Sequence, residues 1–205
     1  MCWLFLIVFV TGGAAVWAWR KREQGEMYEQ LRKQAAKHQG RLKVGSLLYY
    51  PKMIMPYHET EFTVSAMLGG SSPSRMAEST YVTFVFGGEL LSDVSFSVTR
   101  RTGSVQSYLD DRLTGCRIRT GNGAFDGRFL VKSGSAAVMP YLLSREIQQE
   151  MLEFSENVDI KFVQRRFVVS VEGVAKCEST FDRMLKIAIM FYGGLRTVGH
   201  EGIPR

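Results

Sequence analysis

The sequence has few of the residues from which metal sites, disulfide frameworks and nucleophilic active sites are built. Its three cysteines and three histidines are scattered along 205 residues, at Cys2, Cys116, Cys177, His38, His58 and His200. No two cysteines have CxxC spacing, and the odd number argues against a disulfide framework. The sequence therefore predicts no metal site and no paired cysteines.

Motifs for nucleotide binding and nucleophilic catalysis are also missing. The chain contains neither GxxxxGK[ST] nor GxSxG. In its glycine-rich stretch, residues 120–127, the third glycine comes one place too late for the dinucleotide fingerprint, and a strand-like run follows. Asp110 and Asp111 are adjacent, so their carboxylates would point apart in an extended segment. We therefore predict no catalytic residue and no cofactor.

The positive charge is concentrated in one short segment. The net charge is +6, and eight basic residues against three acidic ones lie between Arg20 and Lys43, which leaves +1 for the chain after Lys43. Basic side chains beside an apolar run favour an anionic lipid surface. The doublet Arg165-Arg166 and nearby aromatic residues would suit an RNA-binding sheet, but the near-neutral charge of that region favours aromatics in the core. We predict no nucleic-acid partner.

The first nineteen residues contain no charged side chain. As a helix, Cys2 to Trp19 would be about 27 Å long, close to the thickness of the bilayer hydrocarbon. A basic triplet follows, and the positive-inside rule then places the N-terminus outside and the remaining chain in the cytoplasm. We therefore predict a single-pass protein of the inner membrane. The residues predicted to lie at the membrane interfaces are Trp3, Trp17, Trp19, Arg20, Lys21 and Arg22.

Small residues form a block inside this apolar segment. Their small-xxx-small spacing would let a second helix approach closely, which predicts integral membrane subunits as partners. The alternative is that small residues are simply common in transmembrane helices. The candidate helix-packing residues are Thr11, Gly12, Ala14, Ala15 and Ala18.

The remaining chain is predicted to form a basic helical stalk over residues 20–40 and one domain over residues 41–205. In the stalk, Met27, Leu31 and Ala35 recur at spacings of four, and Gly40 is suited to end the helix. In the domain, β-rich or alternating runs predict strands over 47–50, 61–68, 80–86, 93–99, 128–132, 158–163 and 166–171.

The connections and helices of the domain indicate its fold class. A glycine pair between the runs 80–86 and 93–99 predicts an antiparallel hairpin. A helical pattern spans residues 143–154, and Ser179 and Asp182 open a final helix that should fray at Gly193-Gly194. The buried stripe of that helix is predicted to be Met184, Ile187, Ala188, Phe191 and Leu195. The predicted class is α+β: an N-terminal transmembrane helix followed by one antiparallel-sheet domain with two C-terminal helices.

Residues Gly121, Asn122, Gly123 and Asp126 are predicted to form a structural turn. Glycine and asparagine tolerate positive φ, and an aspartate can accept hydrogen bonds from the local backbone. The alternative, a phosphate cradle, lacks the strand-to-helix context that such loops have.

The stretches TGNGAFDGRFLV at 120–131 and YLLSREI at 141–147 resemble a widespread kind of uncharacterised bacterial membrane-anchored domain. The resemblance implies a bacterial protein whose domain faces the cytoplasm, and it supplies no catalytic residues. The overall layout is also similar to that of the H subunit of purple bacterial reaction centres.

These features favour a non-catalytic accessory or assembly subunit of a larger membrane complex, of photosynthetic or respiratory type. The alternative hypothesis is a tethered module that binds a small ligand or a lipid head group in the concave face of its sheet.

Overall fold

The computed structural model describes residues 2–46, 50–68, 78–87, 94–101 and 116–201, and among their side chains those of residues 17, 18, 21–46, 50–66, 79–87, 94–101 and 116–199. The helices are α1 (Cys2–Lys37), α2 (Gly123–Arg128), α3 (Met139–Leu142), α4 (Arg145–Leu152) and α5 (Glu178–Glu201), with a 3₁₀ turn at Ala136–Val138. The strands are β1 (Arg41–Lys43), β2 (Lys52–Tyr57), β3 (Thr60–Leu68), β4 (Glu78–Val85), β5 (Phe96–Arg100), β6 (Cys116–Ile118), β7 (Phe129–Ser133), β8 (Val158–Val163) and β9 (Arg166–Glu172).

These strands form one antiparallel sheet in the order β1-β2-β3-β4-β9-β8-β5-β7-β6. The buried apolar residues of the described helices share one cluster with one face of this sheet. The fold therefore has two layers, a sheet and the helices that cover one of its faces.

The predicted transmembrane helix over residues 1–19 is wrong. Across the part of the chain that the structure describes, no helix combines the length and the apolarity needed to cross a membrane. These residues open the 36-residue helix α1, which continues into a strongly charged second half. The hydropathy argument rested on residues 1–19 alone, whereas the helix that contains them carries many charged residues from Arg20 onward. The predicted single-pass topology and inner-membrane location, which depended on that element, are wrong as well.

The second half of α1 is part of the domain. Met27 and Leu31 are fully buried and Ala35 is nearly so, and the helix contacts β1, β2 and α5. The spacing of four that predicts a helix also places these apolar side chains in one stripe, which has to be covered. Residues 20–40 therefore pack against the sheet instead of standing apart as a stalk.

The predicted hairpin between residues 80–86 and 93–99 is also wrong. Strand β4 pairs with β9, and β5 pairs with β8, so the β8–β9 hairpin lies between the two strands that were expected to be neighbours. The turn of that hairpin consists of Gln164 and Arg165, both with positive φ, 50° and 64°. Two-residue turns of this kind prefer Asn-Gly, and other residues with positive φ cost about 1–2 kcal/mol each.

The buried stripe predicted for the final helix is confirmed, since all five of its residues are at most 1% exposed. The predicted fraying at Gly193-Gly194 is wrong, because α5 continues to Glu201. A Cβ placed on Gly194 would lie 3.3 Å from the Tyr141 carbonyl oxygen and from Leu142, so the glycine permits close packing against α3. Val198, one turn later, is buried and holds the helix on the domain.

Strand β2 was not predicted, because it contains Pro56. Residues 47–49 of the strand that was predicted over 47–50 lie outside the described residues. Strand β1 pairs only with positions 52–54 of β2. Pro56 therefore lies where the outer side of β2 has no neighbour, and its missing N–H removes no ladder hydrogen bond on that side.

Candidate functional site

The residues predicted at the membrane interfaces and at the helix-packing face lie along the first half of α1. Trp17 is 48% exposed, and the Lys21 ammonium lies 5.0 Å from its ring centroid. Arg22 forms a 3.0 Å salt bridge with Glu26 one helical turn later, and Ala18 is exposed. The side chains of the other members lie outside the described residues: Trp3, Thr11, Gly12, Ala14, Ala15, Trp19 and Arg20.

The glycine-rich turn is built around Asp126. Its carboxylate accepts hydrogen bonds from the backbone N–H groups of Thr120 and Gly121, at 2.9 and 3.2 Å, and from the Thr120 hydroxyl. Gly121 has φ +80°, whereas Asn122 has φ −96° and caps α2 by accepting from the Phe125 N–H. The positive φ therefore lies at Gly121 and not at Asn122, and Gly123 is the first residue of α2.

A polar cavity of about 590 Å³ lies between this turn and α4. The Asn122 side-chain amide donates to Gln148 Oε1 at 3.0 Å, and Gln148 Nε2 donates to the Leu143 carbonyl oxygen at 2.9 Å. These amides are used to hold the turn against the helix. The cavity is lined by Thr120, Gly121, Asn122, Gly123, Arg145, Gln148 and Gln149.

No site with the geometry of a metal centre was found in the described ranges. No group of three or more histidine, cysteine, aspartate or glutamate side chains lies together there in a way that could hold an ion. Cys116 and Cys177 are both exposed, free thiols.

The core face of the sheet is aromatic. Phe62, Phe84 and Phe167 stack across β3, β4 and β9 with ring centroids 4.7 Å apart, and Tyr192 of α5 meets the edges of the first two rings. Phe191 of the same helix contacts Phe167 at 5.1 Å. Helix α5 therefore covers this face at the centre of the sheet.

The opposite face carries the alternating side chains of β3, β4, β9 and β8, which we call the open face. Buried residues lie at its borders, each 6% exposed: Ile54 on β2, and Leu130 and Lys132 on β7. Between these borders the side chains are half-buried or exposed. The open face includes Glu61, Thr63, Ser65, Tyr81, Thr83, Val85, Asp159, Lys161, Val163, Arg166, Val168, Ser170 and Glu172.

One end of the open face combines exposed valines with basic residues. In the strand register, Arg166 lies between Val85 on β4 and Val163 on β8. The two valines are 60% and 51% exposed, among the most exposed large apolar residues of the described chain. Lys161 lies on the same face of β8, two residues before Val163.

One acidic group on this face, Asp159, is held within the sheet. Asp159 accepts a hydrogen bond from the backbone N–H of Arg100 at 3.1 Å. Burial raises the pKa of the Asp159 carboxyl above its ordinary 3.8, against the opposing effects of that hydrogen bond and of the Lys161 charge. The carboxylate therefore interacts with the Lys161 charge but forms no salt bridge with a basic side chain of the described residues.

Sequence reasoning missed the open face as a unit, although part of the signal was present. Alternation in 158–163 and 166–171 identifies Lys161, Val163, Arg166 and Val168 as one side of two strands. The contribution of Val85 has no local signal, because it depends on the pairing of β4 with β9.

Comparison with known proteins shows a distant likeness in fold. No family model matches the chain, and no curated protein matches it. A similar solved structure is the crystal structure of the mycobacterial trehalose monomycolate transport factor A, TtfA. The match has a TM-score of 0.51 at 10% identity and covers 83% of this chain and 94% of that one. The likeness shows the fold alone.

Proposed function

We propose that the protein is a non-catalytic accessory or assembly protein that binds a partner protein through the open face of its sheet. The observation that carries this proposal is a face of exposed or half-buried valines and half-buried hydroxyl side chains over four neighbouring strands, opposite the helical layer. Because the likeness to TtfA extends to the fold alone, the proposal does not depend on the transport role in that protein's name.

The composition of the open face suits a protein interface. Antiparallel sheets often leave one face to water, and such a face is usually strongly polar. Here Val168, in the middle of the face, lies between Thr83 on β4 and Lys161 on β8, with the hydroxyl side chains of Thr63 and Ser170 nearby. Interfaces likewise combine apolar and small polar side chains with charged groups, which lie mainly toward the rim.

A small-ligand binding module is the second candidate, and the cavity beside the glycine-rich turn favours it. Arg145 at the cavity is exposed and forms no salt bridge within the described residues. The amides of half-buried Asn122 and buried Gln148, however, bond to each other and to the backbone. A ligand that bound to these amides would have to break the hydrogen bonds that they already form. We therefore favour the partner-binding function.

Site-specific photo-crosslinking tests the proposal. A photoreactive phenylalanine derivative placed at Thr83 or Ser170 samples the open face, and the same group at Lys33 of α1 or Arg196 of α5 samples exposed positions on the helices. We expect the two open-face positions to give one shared adduct in the native cells, identified by mass spectrometry. The identified protein, once purified, should bind the full chain.

The matched variants decide which face is used. Thr83→Glu should weaken binding of the purified partner at least about tenfold, because it places a charge in the interface centre, whereas Lys33→Glu should leave it unchanged. Adducts formed equally from both layers, or only from the helices, would contradict the proposal.

A further inference from the structure

The turn of the β8–β9 hairpin has a backbone conformation that its two residues disfavour. Gln164 and Arg165 have φ values of 50° and 64°, where Asn-Gly would be relaxed. The Arg165 carbonyl accepts a hydrogen bond from the Phe86 N–H at 2.8 Å, which ties the turn to the end of β4. A strained turn that the surrounding structure holds in place points to a use for its side chains.

The strained turn adjoins the basic end of the open face. Arg165 is half-buried, and Arg166 and Lys161 are exposed. Val85 and Val163 flank Arg166 on the neighbouring strands. We call these five residues the hairpin-end patch.

The positive charge of the hairpin-end patch is only partly balanced, by the interaction of Lys161 with the Asp159 carboxylate two residues before it on β8. None of the three basic side chains of the patch forms a salt bridge within the described residues. Glu61, on the same face of β3, is already paired with Arg41 at 2.6 Å. Basic groups beside exposed valines form a surface that is complementary to a molecule with both negative charge and an apolar group.

We propose that the hairpin-end patch docks an acidic segment of a partner protein that carries an apolar side chain among its carboxylates. Arginine presents a planar fork that pairs with carboxylates in two parallel hydrogen bonds, and the flanking valines would receive the apolar side chain. This inference rests on the proposed function and names the chemistry of the partner.

The architecture restricts how that segment can bind. Strands β8 and β9 are interior strands of the sheet, lying between β5 and β4. The partner cannot add a strand here and has to be recognised through side chains. Single-stranded nucleic acid is the weaker candidate, because Tyr81 is the aromatic side chain described on this face and it is half-buried.

Defined probes test the proposal without knowledge of the natural partner. A fluorescent peptide of alternating glutamate and leucine should bind the full chain, and its affinity should fall between about 50 and 300 mM salt as charge pairs are screened. An all-glutamate peptide should bind more weakly, and an alternating lysine and leucine peptide should not bind. Equal binding of the lysine peptide, no binding of the glutamate and leucine peptide, or tighter binding of oligouridine would overturn the proposal.

Turn variants separate recognition from stability. Gln164→Asn relaxes one strained position and keeps Arg165, so melting temperature should rise while peptide affinity stays unchanged. Arg165→Gly should also raise melting temperature but should lower affinity at least about threefold, because a charge pair is lost. If Arg165→Gly keeps full affinity, the side chain plays no part in recognition.

Charge reversal tests the centre of the patch. The double variant Lys161→Glu with Arg166→Glu should lose binding of the glutamate and leucine peptide by at least about tenfold and should begin to bind the lysine peptide. A double variant that binds both peptides like the parent contradicts the proposal. Failure here with intact crosslinking from Thr83 would overturn the patch and leave the proposed function standing.

Discussion

Truncation of Leu31 tests whether the second half of α1 is part of the folded core. The side chain is fully buried within the main cluster, so Leu31→Ala removes buried methyl groups and leaves a cavity. Such changes cost about 2–5 kcal/mol. For a chain of this size the loss corresponds to a decrease in melting temperature of about 4–20 °C. On an independent stalk the same change would be close to neutral, because alanine has the highest helix propensity.

Denaturant unfolding followed by circular dichroism measures this effect. The midpoint should fall while the slope of stability against denaturant stays the same, since the variant unfolds the same surface. Lys33→Ala, an exposed position on the same helix, is the control and should change stability by less than about 0.5 kcal/mol. A Leu31→Ala protein as stable as this control would refute the packing of α1 on the sheet.

The turn and the open face give three further predictions. Gly121→Ala should lower stability by about 1–2 kcal/mol, because alanine disfavours φ +80°, whereas Gly123→Ala, with negative φ and open space around it, should unfold like the parent. Asp126→Ala should cost about 1–3 kcal/mol in denaturant unfolding, because it leaves the N–H groups of residues 120 and 121 without their acceptor. Asp159→Asn should melt higher than the parent at neutral pH but not below pH 3.8. Because the pKa of Asp159 is raised in the folded state, the parent loses stability as pH rises from 3.8 through the folded-state pKa. A variant that melts like the parent at every pH would contradict this.

The sequence by itself determined the elements whose pattern lies within one segment. The stripe from Met184 to Leu195 recurs at helical spacing, and residues 158–163 and 166–171 alternate, so each pattern states which side chains share a face. These patterns depend only on residues a few positions apart. They predicted β8, β9 and the buried stripe of α5 correctly, and for the same reason they said nothing about which strand lies beside which.

Tertiary structure decided the order of the strands. The glycine pair after β4 suits a turn back along the same strand, yet β9 takes that place in the sheet. The choice depends on contacts such as the stacking of Phe84 on Phe167, which join segments far apart in the chain. It also decided that the second half of α1 packs on β2, which the spacing of Met27, Leu31 and Ala35 alone cannot specify.

The candidate site shows the same division. Alternation within two strands is enough to place Lys161, Val163 and Arg166 on one face, and composition alone marks Arg165-Arg166 as a basic doublet. Only the pairing of β4 with β9 brings Val85 beside Arg166, and only the folded hairpin forces positive φ on Gln164. Local spacing determines the face of the sheet on which a residue lies. Its neighbours on that face depend on long-range register, because adjacent strands place residues about 5 Å apart whatever their separation in sequence.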